Sequence, residues 1–387
     1  MYVREHRLGL EALMKITSIE TLPVSIGVDR RVGQVHDTKG FRFTSHLTVI
    51  FIRTDTGLEG IGEVNGSADW SGETQVGAQA LIEHHLAPRL IGEDPRRIRH
   101  CMDKLKSVFA NPFAKAGIEM ALFDILGKSL QAPLHQLLGG AVRSFDLPLR
   151  FPIMPVGPQE TALAATRMVS EGFRTIKVKV GQDPLQFDLE RIRLVRDAIG
   201  PDVRLTVDAN GGWSVNDAIR AAPRLEEYGV AFIEQPVHRL DLDGLARVRQ
   251  QSRLPIMADE SIFTPQDALN CIHKEAADII SVCPGKHGGL MNTMAIISMC
   301  EAAGVQCAIG SNLEWDIASA AMAHLTVAAP NIAVEKYAAD LIGPLFHVEH
   351  ALTKPWDVIH GQISVPQGPG LGIELDRGLL TELHSVN

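Results

Sequence analysis

The sequence lacks a purely apolar stretch of membrane-spanning length, since its longest run without Asp, Glu, Lys or Arg, residues 317–334, carries His324, Pro330 and Asn331. With no basic segment leading into an apolar one, neither a membrane span nor an export leader is read from it. It also lacks any lysine- and arginine-rich block. With a net charge of -9 and a pI near 5.9, a concentrated basic face for nucleic-acid phosphates is not expected. Cysteine is scarce: Cys101, Cys271, Cys283, Cys300 and Cys307 are odd in number and without metal-finger spacing. These absences leave a soluble, reduced, cytoplasmic protein that acts on small molecules and has no nucleic-acid or membrane partner.

What is present is a ladder of single carboxylates. Asp208, Glu234 and Asp259 lie 26 and 25 residues apart, and each follows a short apolar run: Arg204–Asp208, Val230–Glu234 and 254–259. Turn residues and a stretch of helical period come next each time, so the pattern reads as successive β-α units. Extending it both ways places further strand ends at Arg150 with Phe151, Lys179, Cys283, Ser311 and Glu335, at intervals of 24 to 29 residues. Eight such units of about this size predict an α/β fold, a (β/α)8 barrel of TIM type with its chemistry at the C-terminal strand ends.

At 387 residues and 45% hydrophobic composition, the chain has room for a second domain. Residues 1–13 carry mixed charge and read as a disordered extension. Strand patterns at 16–26, 46–53 and 58–64, followed by helical periodicity, predict an α+β capping domain over 14–140 that Gly139-Gly140 closes. The barrel is expected over 141–351. The Pro- and Gly-rich segment 352–387 is expected to return and pack on the cap.

Lys177-Val-Lys179, Asp208-Ala-Asn210, Glu234-Gln-Pro236, Ala258-Asp259-Glu260-Ser261 and Lys286-His-Gly-Gly289 occur in order on successive units. Together they resemble the enolase superfamily, specifically its mandelate racemase/muconate lactonizing enzyme subgroup, from Met14 onward. The resemblance implies a modified barrel under an N-terminal cap, a homo-oligomeric assembly, and one magnesium ion on Asp208, Glu234 and Asp259. It implies proton abstraction alpha to a substrate carboxylate, giving a metal-stabilised enediolate. Three monodentate carboxylates suit an octahedral cation that keeps positions open for substrate.

Lys177 and Lys179 lie two apart on a strand and share a face. At roughly 6.7 Å and an effective dielectric of about 20, two ammoniums repel by about 2.5 kcal/mol, enough to push a lysine toward the range of a general base. Lys179 is the candidate base and Lys177 its electrostatic partner. The subgroup's second lysine, on the sixth strand, is replaced by Cys283, and no Asp/His dyad stands on strands six and seven. Cys283 is either a small buried hydrophobe or a thiolate on the face opposite Lys179.

That substitution favours a one-base elimination or cycloisomerisation. Epimerisation or racemisation between Lys179 and Cys283 is the alternative, and a carboxylate-binding barrel without turnover is a third, of another class. Glu260 either orients a lysine or begins a helix; Asn210 either donates beside the site or shapes its Asn-Gly-Gly turn. Arg150 is a candidate for binding a carboxylate if its side chain enters the bowl. Lys286, Ser311 and Glu314 are further substrate-side candidates, and Glu335 shares the choice between recognition and structure. Two cap segments, 27–43 with Arg30, Arg31, Lys39 and Arg42, and 65–74 with Trp70, are expected to close over the bowl.

Overall fold

The computed structural model describes residues 14–28, 35–37, 40–42, 44–354 and 356–385. The extension 1–13 and the expected substrate contact Arg30, with Arg31 and Lys39, lie outside the described residues. The fold is a modified (β/α)8 barrel under an N-terminal cap. In the cap, strands Ile16–Gly27, Thr44–Thr54 and Glu59–Val64 form an antiparallel sheet against helix Pro112–Leu130. Gly60 and Gly62 let strand and helix meet: a Cβ on Gly62 would stand 1.9 Å from the Gly117 carbonyl oxygen.

Seven parallel strands make the barrel wall, each paired with its neighbour in sequence: Arg150–Ile153, Thr175–Lys179, Arg204–Asp208, Val230–Glu234, Ile256–Ala258, Ile279–Val282 and Gln306–Ile309. Helices cover the outside, so strands such as Ile279–Val282 are buried throughout, as a wall with two covered faces requires. Among the described residues, no helix is long and apolar enough to cross a membrane.

The eighth position differs from the strand ending at Glu335 that the repeat predicts. Residues Val334–Tyr337 form a helical turn, and Glu335 is exposed, 3.5 Å from Arg143. The expected run does join the wall at 331–333, where Ile332 bridges Cys307 in parallel and Ala333 N–H donates to the Cys307 carbonyl (3.0 Å). Residues 338–340 complete the closure: Arg150 N–H donates to the Ala339 carbonyl (2.9 Å), and Asp340 N–H to that of Ile309 (3.3 Å). A four-residue apolar run is too short for its periodicity to separate strand from helical turn.

The first strand also runs later than expected. Asp146–Pro148 pairs with Gln362–Ser364 of the tail, so the barrel strand starts at Arg150. The tail continues to helix Arg377–Ser385, which lies on the cap strand Ile16–Gly27.

Candidate active site

Asp208 and Glu234 end adjacent parallel strands and are paired in register, so both carboxylates emerge at one height. Asp259 follows the next strand, and Lys179 is in register with Asp208. All three carboxylates are buried. Lys179 Nζ donates to Asp208 Oδ2 (2.6 Å) and Asn210 Oδ1 (2.8 Å). Lys286 Nζ donates to the Asp259 backbone carbonyl (2.9 Å) and also contacts Asp259 Oδ1.

The expected repulsion between Lys177 and Lys179 is corrected by what surrounds Lys177. Its Nζ lies 2.5 Å from Asp340 Oδ2, 3.4 Å from Asp208 Oδ2 and 3.5 Å from Glu234 Oε1. Burial alone would push this ammonium down, but Asp340 and Glu234 outweigh it and hold Lys177 above the usual lysine range. Its charge is balanced within the carboxylate cluster instead of bearing on Lys179 as a free like charge.

Asp340 was not legible as a site residue. It sits five residues beyond the expected strand end, and only the irregular closure brings it to the cluster. Burial acts to raise its carboxyl, yet Lys177 and Arg150 hold it low.

Arg150 does not reach the bowl. Its side chain is fully buried beneath the site, with NH2 3.4 Å from Glu234 Oε2 and Nε 3.5 Å from Asp340 Oδ2. That places it under the carboxylates as a fixed positive charge, because the strand begins where it was expected to end.

Burial, then the charge of Asp208, pushes the Glu234 carboxyl up to about 6. Asp208 moves the other way: burial opposes ionisation, but Lys179 and Lys177 hold it at about 2. For Glu260, burial and then Asp259 raise the carboxyl to about 7.

Among the described residues, no three His, Cys, Asp or Glu side chains converge as they stand into a cluster that could hold a metal ion. Lys179 and Lys286 instead occupy oxygens of Asp208 and Asp259. The donor set nevertheless fits a hard divalent cation in kind, since all its ligating atoms are carboxylate oxygens. Glu234 Oε2 is buried and makes no hydrogen bond, with only the ion-pair contact of Arg150 NH2 at 3.4 Å, which leaves it a free ligating oxygen.

Above the cluster opens a cavity of about 450 Å³ between cap and barrel. Lys177, Lys179, Asp208, Asn210, Asp259, Glu260, Ser311 and Trp70 line it; Arg150, Glu234, Lys286, Cys283 and Glu314 are not among its lining residues. Cys283 is buried and its thiol donates to Glu314 Oε1 (3.1 Å). Burial and then Glu314 push that thiol well above its usual value. Glu314 also accepts from Ser311 Oγ (2.5 Å) and Asn312 N–H (2.9 Å). The Cys283–Glu314 pair therefore faces inward, and Ser311 is its link to the bowl.

Comparison with known proteins gives two successive family matches. Residues 28–139 match the mandelate racemase/muconate lactonizing enzyme N-terminal domain, and residues 160–379 match the enolase C-terminal domain-like family. The L-Ala-D/L-Glu epimerase of Bacillus subtilis is 32% identical over 370 residues, 93% of this chain and 97% of that enzyme. Muconate cycloisomerase 1 of Rhodococcus opacus is 35% identical over 335 residues, 85% of this chain and 88% of that one. The crystal structure of muconate lactonizing enzyme from Pseudomonas fluorescens with muconolactone superposes with a TM-score of 0.90 at 32% identity, covering 96% of this chain and 99% of that one.

Proposed function

The chain belongs to the mandelate racemase/muconate lactonizing enzyme family of the enolase superfamily, and from that premise we infer that it abstracts the α-proton of a small carboxylate substrate through Lys179. It is an enzyme of the isomerase and lyase classes to which its relatives belong. The reaction continues as a one-base elimination or cycloisomerisation. The observation that carries this choice is the placement of Cys283, buried with its thiol donated to Glu314, while Lys179 lines the cavity.

In this reading Lys179 Nζ takes the α-proton, and its bonds to Asp208 and Asn210 aim it at the bowl. Asp208, Glu234 and Asp259 would hold one magnesium ion. When bound, that ion offsets the second negative charge that develops on the substrate carboxylate as its α-carbon loses a proton. Asp340 keeps Lys177 charged and holds it against Asp208 and Glu234, and Arg150 pairs with Asp340 in turn. Trp70 covers the bowl and keeps water from the reacting carbon.

We divide the chain into a cap at 14–140, a barrel at 141–351 and a returning tail at 352–387. Its setting is the cytoplasm, as a homo-oligomer; five free, buried cysteines support a reducing compartment.

A screen of carboxylic acids with magnesium in deuterated water tests the reaction. Deuterium should enter the α-position, and Lys179→Ala should abolish that exchange while carboxylate binding survives. Rapid exchange into both stereoisomers would replace the one-base reading by epimerisation, the activity named for the Bacillus subtilis relative.

A further inference from the structure

An unbroken run of hydrogen bonds joins Lys179 to the cap. Lys179 Nζ donates to Asn210 Oδ1 (2.8 Å), Asn210 Nδ2 donates to Glu260 Oε1 (2.7 Å), and Trp70 Nε1 donates to that same oxygen (3.3 Å). Each bond constrains the next. An ammonium only donates, so Asn210 turns its carbonyl oxygen to Lys179; its amide hydrogens then face Glu260, where a carboxylate accepts them. Asn210 holds this pose in the left-handed region, at φ 42°, which asparagine tolerates better than most residues.

The cap end of the run is anchored to the barrel. The Trp70 indole sits between Phe113 of the cap (6.0 Å between ring centres) and Phe263 of the barrel (5.3 Å). Its backbone carbonyl accepts from Arg239 NH1 (2.9 Å). Asn65 and Asn312 exchange two amide-to-carbonyl bonds across the same boundary (3.2 and 2.7 Å).

The other end is where direction matters. Lys179 carries its ammonium on a flexible four-carbon stem, and its bond to Asp208 Oδ2 (2.6 Å) alone leaves the ammonium free to turn about that contact, so Asn210 is the second point that fixes its aim. Resting on the reading of Lys179 as the base, we propose that Trp70 and Glu260 are positioning residues: the cap segment, by seating Trp70 on Glu260, sets through Asn210 the direction in which Lys179 Nζ points. The base is aligned while the cap is docked and released when Trp70 leaves.

The test compares the full-length enzyme with W70F, E260A and E260Q in magnesium chloride without substrate. The reagent is acetic anhydride, and acetylation of Lys179 is measured by mass spectrometry against the exposed Lys106. Phenylalanine keeps the ring between Phe113 and Phe263 but has no N–H, so W70F should acetylate Lys179 several-fold faster than wild type. E260A should do the same. E260Q should match wild type, because the glutamine oxygen still accepts both bonds.

On a carboxylic acid that the wild type exchanges, W70F should lower kcat about tenfold with KM nearly unchanged, as misaimed but intact binding predicts. Equal acetylation in wild type, W70F and E260A overturns the proposal and leaves the base assignment standing. Persistent exchange in K179A removes the base assignment, and the positioning role with it.

Discussion

At the residue scale, the decisive contrast is between two strand-end side chains. Lys179 lines the cavity and is 17% exposed, whereas Cys283 is buried with its thiol committed to Glu314. Cys283→Ala should therefore leave α-proton exchange within about twofold of wild type, since no step in the one-base route uses the thiol. It should cost roughly 1 kcal/mol of stability, because Glu314 loses one donor and retains those of Ser311 and Asn312. Exchange kinetics and urea denaturation of the same variant check both values. A loss of exchange comparable to that of Lys179→Ala would bring Cys283 into the chemistry.

At the scale of elements, acidic side chains of the cap reach the N-termini of barrel helices. Glu63, from strand Glu59–Val64, accepts from the backbone N–H groups of Trp315 (2.7 Å) and Ala318 (3.0 Å) at the start of helix Asp316–Ala328. Glu119, from helix Pro112–Leu130, accepts from Met291 N–H (3.2 Å) at the start of helix Leu290–Ala303. Each carboxylate satisfies donors that a helix start leaves unpaired and meets the positive end of its dipole.

This explains the last glycine of the Lys286-His-Gly-Gly289 motif. Gly289 has φ 127°, and a Cβ there would stand 2.2 Å from Glu119 Oε2. Gly289→Ala should destabilise the fold by about 1–3 kcal/mol through backbone strain and lost seating of Glu119, seen as a lower urea midpoint. A midpoint equal to wild type would show that Glu119 does not need the space. The motif was visible in the chain, but its reason was not, because Glu119 lies 170 residues away in sequence.

At the scale of the whole molecule, two neutral histidines tie cap to barrel. His347 Nδ1 bonds the Gly343 carbonyl (3.0 Å), so that nitrogen carries the proton and Nε2 accepts from Ser45 Oγ (3.0 Å). His324 Nε2 likewise donates to the Leu371 carbonyl (3.1 Å), leaving Nδ1 to accept from the His135 backbone N–H (3.3 Å). Burial pushes both imidazoles down to about 4, from an ordinary value of 6.5. Between those values the unfolded chain binds protons that the folded one refuses, so the contribution is intact above about 6.5 and is lost as pH falls toward about 4. Urea midpoints should decline over that window; replacing His347 by Gln, which keeps a donor and an acceptor without titrating, should flatten the decline.

The sequence by itself determined the repeat, the cap, and the rim positions of Lys179, Asp208, Glu234 and Asp259, because strand-end spacing and short motifs are local properties of the chain. Tertiary structure alone decided what lies opposite and beneath them. Asp340 enters through an irregular closure, Arg150 drops under the cluster because its strand starts late, and Lys177 is balanced by carboxylates from three other segments. These are matters of charge pairing and side-chain direction across elements, and no local pattern carries them.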